Sequence, residues 1–436
     1  MKTQLFLATL VTLCFFGATD ISAQNHPSKK NESKELTTVG FTPMDSAAVY
    51  RAFVENAPQR FQIAEAPRFA IIGKNEKFYL GIGGSVKGVA GFDFPNPISS
   101  APYFTTSSII MSPAKGNGGQ FWINAQQSNI FFNIVALPGT DNKIGFYFNF
   151  DLCGNNYTPQ VQYAYLTYRG FLVGYNTSLF LDGNACGPGI DKEGPNSLTY
   201  SLNGVVDYSH SFRNGVTLAI GAEVGTKSYT TNNFTQSINQ RLPDIPAYIQ
   251  YNFNNNPNSY VRFSALARFL QYRDLVKDDN RTIGGWGVKA SGTFPMGSKW
   301  QAYFQAAYGE GITDYFQDLS GMNLDLTPNP DINGKLSAVP SWGGYFGLQY
   351  NWSANCYSSV CYSHLRNYAK NYGTIGAPTV AWDTQYSYAQ YVAANVFYNI
   401  SSQLTWGLEW DWGRRVDFNH NSKHDNRIQT MLQFNF

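Results

Sequence analysis

The feature that most constrains this chain is a period of two in its apolar residues, which recurs from Phe78 onward. In residues 404–412 the even positions are all Leu or Trp, and the odd positions are Thr, Gly, Glu and Asp. In residues 144–151 the even positions are Ile or Phe, and the odd positions are Gly, Tyr, Asn and Asp. Successive side chains of a strand point to opposite faces. Each run therefore predicts a strand with one apolar face and one polar face.

Comparable runs follow one another along most of the chain and predict about sixteen strands. Their starts lie near residues 78, 120, 143, 160, 170, 199, 216, 245, 259, 282, 298, 341, 355, 386, 402 and 426. Short turns, such as 213–215 and 295–298, alternate with longer polar stretches at 183–198, 228–244, 311–340 and 366–384. Bacterial barrels have this asymmetry, with short periplasmic turns and longer extracellular loops. The pattern predicts an all-β fold, namely a transmembrane antiparallel β-barrel.

The composition favours a barrel over a soluble β-sandwich. Aromatic residues make up 16% of the chain and charged residues only 14%, whereas a typical soluble globule has about 25% charged residues. Lipid-facing strands with aromatic girdles account for this combination. A sandwich also alternates, but its strands are usually shorter and it does not need Trp or Phe at so many strand ends.

The N-terminal segment predicts export. Lys2 precedes an apolar run at residues 5–17 and a small-residue site at 22–24, so residues 1–23 are expected to be a signal peptide. A lipoprotein signal is disfavoured because Leu13 stands where a small residue would precede Cys14. Residues 24–75 predict a periplasmic leader with a short helix near residues 46–54. Residues 76–436 are the predicted outer-membrane barrel, which locates the protein in a Gram-negative cell.

The last strand carries a candidate assembly signal. Phe434 and Phe436 lie on the apolar face of an alternating run that reaches the end of the given sequence. Terminal aromatic residues of this kind are typical of the signal that the outer-membrane assembly machinery recognises. The expected partners therefore include that machinery and outer-membrane lipid.

Charge and cysteine content narrow the partners further. The formal net charge is +2, which argues against a nucleic-acid partner. Beyond the predicted signal peptide the cysteines are Cys153, Cys186, Cys356 and Cys361. Disulfides can form in an oxidising compartment, but four cysteines allow three connectivities and the sequence does not choose between them.

Several segments resemble the DcaP-like porins. The resemblance rests on residues 407–415 (GLEWDWGRR), 426–429, 127–132, 174–180 and 259–264, with Phe436 at the end. It implies a homotrimer of sixteen-stranded barrels whose pores favour small anionic organic solutes. The chain departs from the family pattern at Asn129, where members tend to have Arg, and at residues 175–177, where they tend to have a Gln-Thr-Trp run.

Charged residues on the polar strand faces are the candidate pore-lining groups, because rings of charged side chains set which ions enter a channel. The candidates are Arg262, Arg268, Lys87, Lys289, Glu223, Glu409, Asp151 and Asp207. Two interpretations remain open: the charges select the permeant solute, or they pair with one another across a wet lumen.

No residue pattern predicts catalysis, a cofactor or a metal. Asp417, His420, His424 and Asp425 form a local cluster, which a solvated turn explains best. The function predicted is passive diffusion of small polar solutes. One alternative is a receptor or adhesion barrel that binds a glycan or protein through residues 183–198 and 311–340. Another is a membrane-embedded hydrolase, which would need Ser and His together on the outer face.

Overall fold

The structure, a computed structural model, describes residues 37–39, 46–58, 66–73, 76–98, 100–112, 118–369 and 382–436. The predicted signal peptide and the first part of the predicted leader lie outside the described residues. Within the described chain no helix is both long and apolar enough to cross a membrane.

Over the described residues the regular structure consists of one α-helix, 22 strands and several short 3-10 helices. Helix α1 is Ser46–Asn56. The strands are β1 Thr37–Val39, β2 Phe69–Ile72, β3 Phe78–Phe94, β4 Gln120–Asn124, β5 Asn129–Ala136, β6 Ile144–Asp151, β7 Gln160–Tyr168, β8 Phe171–Thr177, β9 Leu202–Ser211, β10 Val216–Val224, β11 Thr235–Ser237, β12 Ile245–Asn252, β13 Tyr260–Asp274, β14 Asp279–Met296, β15 Trp300–Glu310, β16 Leu326–Pro328, β17 Leu336–Ala338, β18 Pro340–Asn351, β19 Cys356–Asn367, β20 Tyr386–Asn399, β21 Leu404–Asp417 and β22 Ser422–Asn435.

The main sheet closes on itself as an antiparallel barrel. Each barrel strand pairs with the next along the chain, and β22 returns to pair with β3 from Asn426↔Phe94 to Asn435↔Ser85. Strands β4 and β5 both pair with β3, and β11 and β12 both pair with β13, so each couple counts as one interrupted strand. The result is the sixteen-stranded barrel that the sequence predicts.

The two ends of the barrel differ in the length of their connections. At one end the connections are short, as in residues 169–170, 212–215, 297–299 and 400–403. At the other end they include residues 95–119, 178–201, 225–244 and 311–339. The short-turn end is the periplasmic end in bacterial barrels.

Alternation along the strands separates an apolar outer surface from a polar lumen. On β13 the side chain of Phe263 is 56% exposed, while Ser264 and Leu266 on the opposite face are buried. The outer face has no second sheet against it, so its exposed apolar side chains are the surface that lipid would cover. The inner face is buried because long connections fold back against it.

Helix α1 lies against the inner face of the wall near the periplasmic end. Val49 and Phe53 are fully buried in a cluster with Tyr79 of β3 and Val135 of β5. The Asn56 side chain donates to Asn133 Oδ1 at 2.7 Å. The helix is therefore part of the lumen lining.

Candidate functional site

All eight candidate pore-lining residues lie on the inner face of the barrel. Their strands are β3 for Lys87, β6 for Asp151, β9 for Asp207, β10 for Glu223, β13 for Arg262 and Arg268, β14 for Lys289 and β21 for Glu409. The residues beside them in sequence point outward, as shown by Val86 at 58% exposure and Val288 at 49%. The exposed neighbours therefore belong to the outer face of the same strands.

Three long connections fold into the extracellular half of the lumen. We call them loop A (described at residues 95–98, 100–112 and 118–119), loop B (178–201) and loop C (311–339). Their apolar side chains build a core inside the barrel, where Phe180 of loop B packs with Ile312 and Phe316 of loop C. The loops also pair with each other, since Tyr200 N–H donates to Tyr315 O at 2.8 Å and Gln317 N–H to Leu198 O at 3.0 Å. These loops therefore narrow the lumen.

Glu409 anchors the tip of loop B to the wall. Its carboxylate accepts the backbone N–H groups of Ile190 at 2.9 Å and Asp191 at 2.7 Å. The Asn395 and Gln429 side chains donate to the same carboxylate at 2.9 and 3.1 Å. Hydrogen bonds to a charged acceptor are stronger than neutral ones. Glu409 is 1% exposed and therefore holds the loop rather than meeting water.

Arg268 anchors loop C in a similar way. Its guanidinium pairs with Asp325 of loop C at 2.8 Å and with Asp244 at 3.0 Å. It also donates to the carbonyl oxygens of Gly311 and Thr226, both at 2.6 Å. Two carboxylates therefore compensate its charge. The residue is also only 1% exposed, so the charge is screened from the lumen.

Arg262 and Lys289 hold the entry of loop B. Arg262 donates to Leu181 O at 3.2 Å and lies 3.6 Å from Asp182, while its guanidinium stacks over Tyr248. Lys289 donates to the backbone oxygen of Phe180. Burial alone would raise the pKa of Asp182, but the charges of Arg262 and Lys289 outweigh burial and lower it.

Glu223 and Asp207 differ in whether their carboxylates accept hydrogen bonds. Glu223 accepts hydrogen bonds from Ser178 of loop B at 2.8 Å and from the Tyr315 hydroxyl of loop C. Both carboxylate oxygens of Asp207 are buried and have no hydrogen-bond partner among the described residues. Gly221 on the neighbouring strand leaves the space that the Asp207 carboxylate occupies.

A polar cavity of about 60 Å³ lies where loop B meets strands β3 and β6. Its lining residues are Ser85, Lys87, Gln127, Asn129, Asn149, Asp151, Gln162, Tyr163, Lys192 and Gln433. The Lys87 ammonium donates to Gln127 Oε1 at 2.6 Å and to Ile190 O at 3.2 Å. The Lys192 ammonium pairs with Asp151. This cavity brings two of the eight candidates, Lys87 and Asp151, into one site.

Lys192 is a lining residue of this cavity that the sequence did not reveal. It lies in loop B, where a polar run of Gly, Asp, Lys and Glu is equally typical of a solvated loop. Only the inward fold of loop B brings it to Asp151 and Tyr103. Burial would lower the pKa of Lys192, but its interactions with Tyr103, Asp151 and Cys153 outweigh burial and raise it, so it stays a cation. Asp182 and Asp191 were missed for the same reason.

Among the described residues, no ion pair joins two of the eight candidate pore charges directly. Their partners are mainly loop residues, such as Asp182 for Arg262 and Asp325 for Arg268. The loops of the receptor hypothesis, 183–198 and 311–340, are largely buried inside the barrel rather than extended toward an outside partner. Within the described residues no group of three or more His, Cys, Asp and Glu side chains could hold a metal ion.

A closed sixteen-stranded barrel whose lumen narrows to charged and amide side chains defines an outer-membrane diffusion channel. The family model described as the porin subfamily matches residues 134–435, which is more than half of the chain. The chain belongs to this porin subfamily. It is an outer-membrane porin for passive diffusion, and the resemblance to DcaP-like porins is confirmed.

Solved structures share the fold. The outer membrane channel DcaP of Acinetobacter baumannii matches with a TM-score of 0.70 and 20% identity, covering 84% of this chain and 99% of that one. An anion-selective porin from Comamonas acidovorans matches with a TM-score of 0.52 and 9% identity, covering 82% and 100%. Salmonella typhi OmpF matches with a TM-score of 0.51 and 14% identity, covering 84% and 99%. No curated protein sequence is significantly similar to this chain.

Proposed function

We propose that this porin passes small anionic organic solutes through the cavity between loop B and strands β3 and β6. The observation that carries the proposal is the convergence of the Lys87 and Lys192 side chains on one polar cavity. Two ammonium groups face one lining carboxylate, that of Asp151, so the lining has one excess positive charge. In a narrow lumen a fixed charge is screened less than at an open surface.

The charge of Lys87 is the less compensated of the two. Lys192 forms an ion pair with Asp151, whereas the Lys87 ammonium donates to a side-chain amide oxygen and a backbone oxygen. The nearby Glu409 is already engaged by backbone N–H groups of loop B. A permeating carboxylate could therefore replace neutral acceptors around Lys87.

Amide groups supply the remaining contacts. Five lining residues are Asn or Gln, namely Gln127, Asn129, Asn149, Gln162 and Gln433. Amides both donate and accept hydrogen bonds, which suits solutes that carry hydroxyl or amide groups beside the carboxylate. Asn129 stands where family members tend to have Arg, so we expect weaker anion preference here than a third cation would give.

Strand length supports a homotrimer in the outer membrane of a Gram-negative cell. A transmembrane strand needs about 9–11 residues, yet β6 has 8 residues and β8 has 7. Strands β3 and β14 have 17 and 18. The short wall would be mismatched with lipid as a monomer, and neighbouring copies would cover it.

The experiment is a reversal-potential measurement on purified protein in a planar bilayer under a salt gradient. We expect Lys87→Gln combined with Lys192→Gln to shift the reversal potential toward cation selectivity, because two charges leave the cavity and Asp151 remains. The matched control is Lys277→Gln combined with Lys299→Gln, which removes two charges from exposed turns. Equal selectivity of the cavity variant, the control and the wild type would refute the proposed path.

Location and assembly are tested separately. The protein should fractionate with outer membranes, and its mobility on gels should change on boiling. Chemical cross-linking in the membrane should yield a trimer. A protein that remains a monomer after cross-linking would contradict the trimer. That result would not bear on the proposed solute path.

A further inference from the structure

Loops A, B and C meet at a pair of buried carboxyl groups that the pore function does not use. Glu193 of loop B and Asp318 of loop C lie within hydrogen-bond range of each other. They are 3% and 1% exposed. Each group comes from a different loop, so their interaction joins loops B and C directly.

Loop A contributes the hydroxyl groups that complete this junction. Thr105 donates through its hydroxyl to Glu193 Oε2. Thr106 donates through its hydroxyl to Asp318 Oδ2 at 2.6 Å, and Ser107 N–H donates to Asp318 Oδ1 at 3.1 Å. We call these residues, with Glu193 and Asp318, the loop junction.

One carboxylate oxygen of the junction has no hydrogen-bond donor within the described chain. Two ionised carboxylates could not supply one, because neither carries a hydrogen. Glu193 Oε1 is buried and has no hydrogen-bond donor among the described residues. A protonated carboxyl on Asp318 would be a suitable donor, because a neutral carboxyl gains one O–H group. Two adjacent buried carboxyls cannot both ionise at low cost. The geometry therefore suits a pair that shares a proton.

Other charged groups near the junction are engaged elsewhere. Asp191 lies beside Glu193 and adds negative charge, and the Tyr386 hydroxyl of β20 faces Asp318. Arg415 of β21 pairs with Asp417 and donates to Ser107 O. Arg427 of β22 pairs with Asp93. The charge of Arg427 and a hydrogen bond from the Tyr391 hydroxyl also stabilise the ionised form of Asp191. Asp411 and Glu409 lie behind Asp191.

We propose that the Glu193–Asp318 pair is a pH-sensitive lock, which holds loops A, B and C together in the lumen while it shares a proton and loosens them when both carboxyls ionise. This regulation rests on the diffusion pathway proposed above, because it acts on the loops that narrow that pathway. Ionisation would place two negative charges in contact inside a buried junction. Loops that are held by this junction would then separate.

The direction of the pH effect follows from the two acids. Burial raises the pKa of Asp318 from 3.8 to about 6, and burial with the neighbouring Asp318 raises the pKa of Glu193 well above its usual range. A raised pKa means that the closed junction binds more protons than separated loops do. Closure is therefore favoured at acidic pH and is lost as pH rises from about 4 through 6 and above. For Asp318 alone, the equilibrium constant for closing the junction falls on the order of a hundredfold between pH below 4 and pH above 6.

The test is single-channel conductance of the full-length protein in planar bilayers from acidic to mildly alkaline pH. Wild type should show low, steady conductance at acidic pH, and higher conductance with more frequent transitions as pH rises. Asp318→Asn keeps the size of the side chain but cannot ionise. It loses one of the two acceptor oxygens that Thr106 and Ser107 now use, but its NH₂ group can donate to Glu193 as a protonated carboxyl would, so the channel should stay in the low state throughout. Asp278→Asn, at an exposed turn, should behave like wild type.

The outcomes separate this proposal from the proposed solute path. A wild-type channel whose conductance is flat with pH, or an Asp318→Asn channel that keeps the wild-type pH profile, would overturn the lock while leaving the pore function intact. Absence of any channel at every pH would instead contradict the pore function. If Asp318→Asn fails to fold, Glu193→Gln gives the same comparison from the other side of the pair.

Discussion

The carboxylate of Glu409 on β21 accepts the backbone N–H of Ile190 at the tip of loop B, at 2.9 Å. The two residues lie 219 positions apart in sequence. This contact ties loop B to the wall that it faces, and contacts from Arg268 and Glu223 tie loop C to the wall in a similar way. The inner face of this barrel is therefore largely a surface that anchors loops, and only part of it meets the solute.

Replacing Glu409 with Gln should release the tip of loop B. Gln has one acceptor oxygen and places an NH₂ donor where backbone N–H groups now point, so at least one charge-assisted bond is lost, at a cost of about 1.5–3 kcal/mol. We expect larger conductance and more frequent substates in planar bilayers. Glu55→Gln, at an exposed ion pair on α1, is the control. Unchanged conductance of a folded Glu409→Gln channel would show that loop B is held by other contacts.

Replacing Arg268 with Gln should destabilise the protein rather than alter its selectivity. The change leaves Asp325 without its cationic partner inside the barrel, and removing one member of a buried pair costs about 3–5 kcal/mol. The urea concentration needed to unfold the barrel should fall, and boiling resistance on gels should decrease. Arg273→Gln removes an exposed pair with Asp278 and should cost at most about 1 kcal/mol. Equal stability of the two variants would contradict this role.

Replacing Asn56 with Ala should loosen helix α1 from the periplasmic mouth. The side chain bonds to Asn133 at 2.7 Å and to Phe146 O at 3.2 Å, and it accepts from Thr167 at 2.8 Å. Each buried group left without its partner costs about 1–3 kcal/mol. We expect higher conductance with unchanged folded yield. A variant that conducts like wild type would indicate that the helix does not obstruct the lumen.

Replacing Phe436 with Ala should lower the amount of folded barrel in cells. The backbone of Phe436 exchanges two hydrogen bonds with Gly84 of β3, both at 3.0 Å, and so closes the seam of the barrel. Ala keeps those backbone bonds and removes only the ring. Folded yield should therefore fall in cells, where the assembly machinery acts, but not in refolding from urea into detergent. A matching loss in both settings would mean that the ring serves packing alone.

Much of the wall could be predicted from the sequence. The strands from Ile144 to Asp151 and from Leu404 to Asp417 were predicted close to their observed positions, because alternation is a local property that a short window reveals. The same alternation placed all eight candidate charges on the inner face. It did not reveal their partners: Arg268 pairs with Asp244 and Asp325, neither of which shares a strand with it.

From the sequence one can derive a barrel of about sixteen strands and the alternation of apolar and polar side chains along its wall, because both follow from a period that neighbouring residues repeat. The three-dimensional structure is needed to see that loops A, B and C fold inward, that Lys192 joins Lys87 at the narrow cavity, and that Glu193 meets Asp318. A loop lacks the two-residue period of a strand, so its sequence does not indicate whether it folds into the lumen or away from it. Its position depends on apolar contacts and charge pairs with residues that are distant in sequence and become neighbours only when the barrel closes.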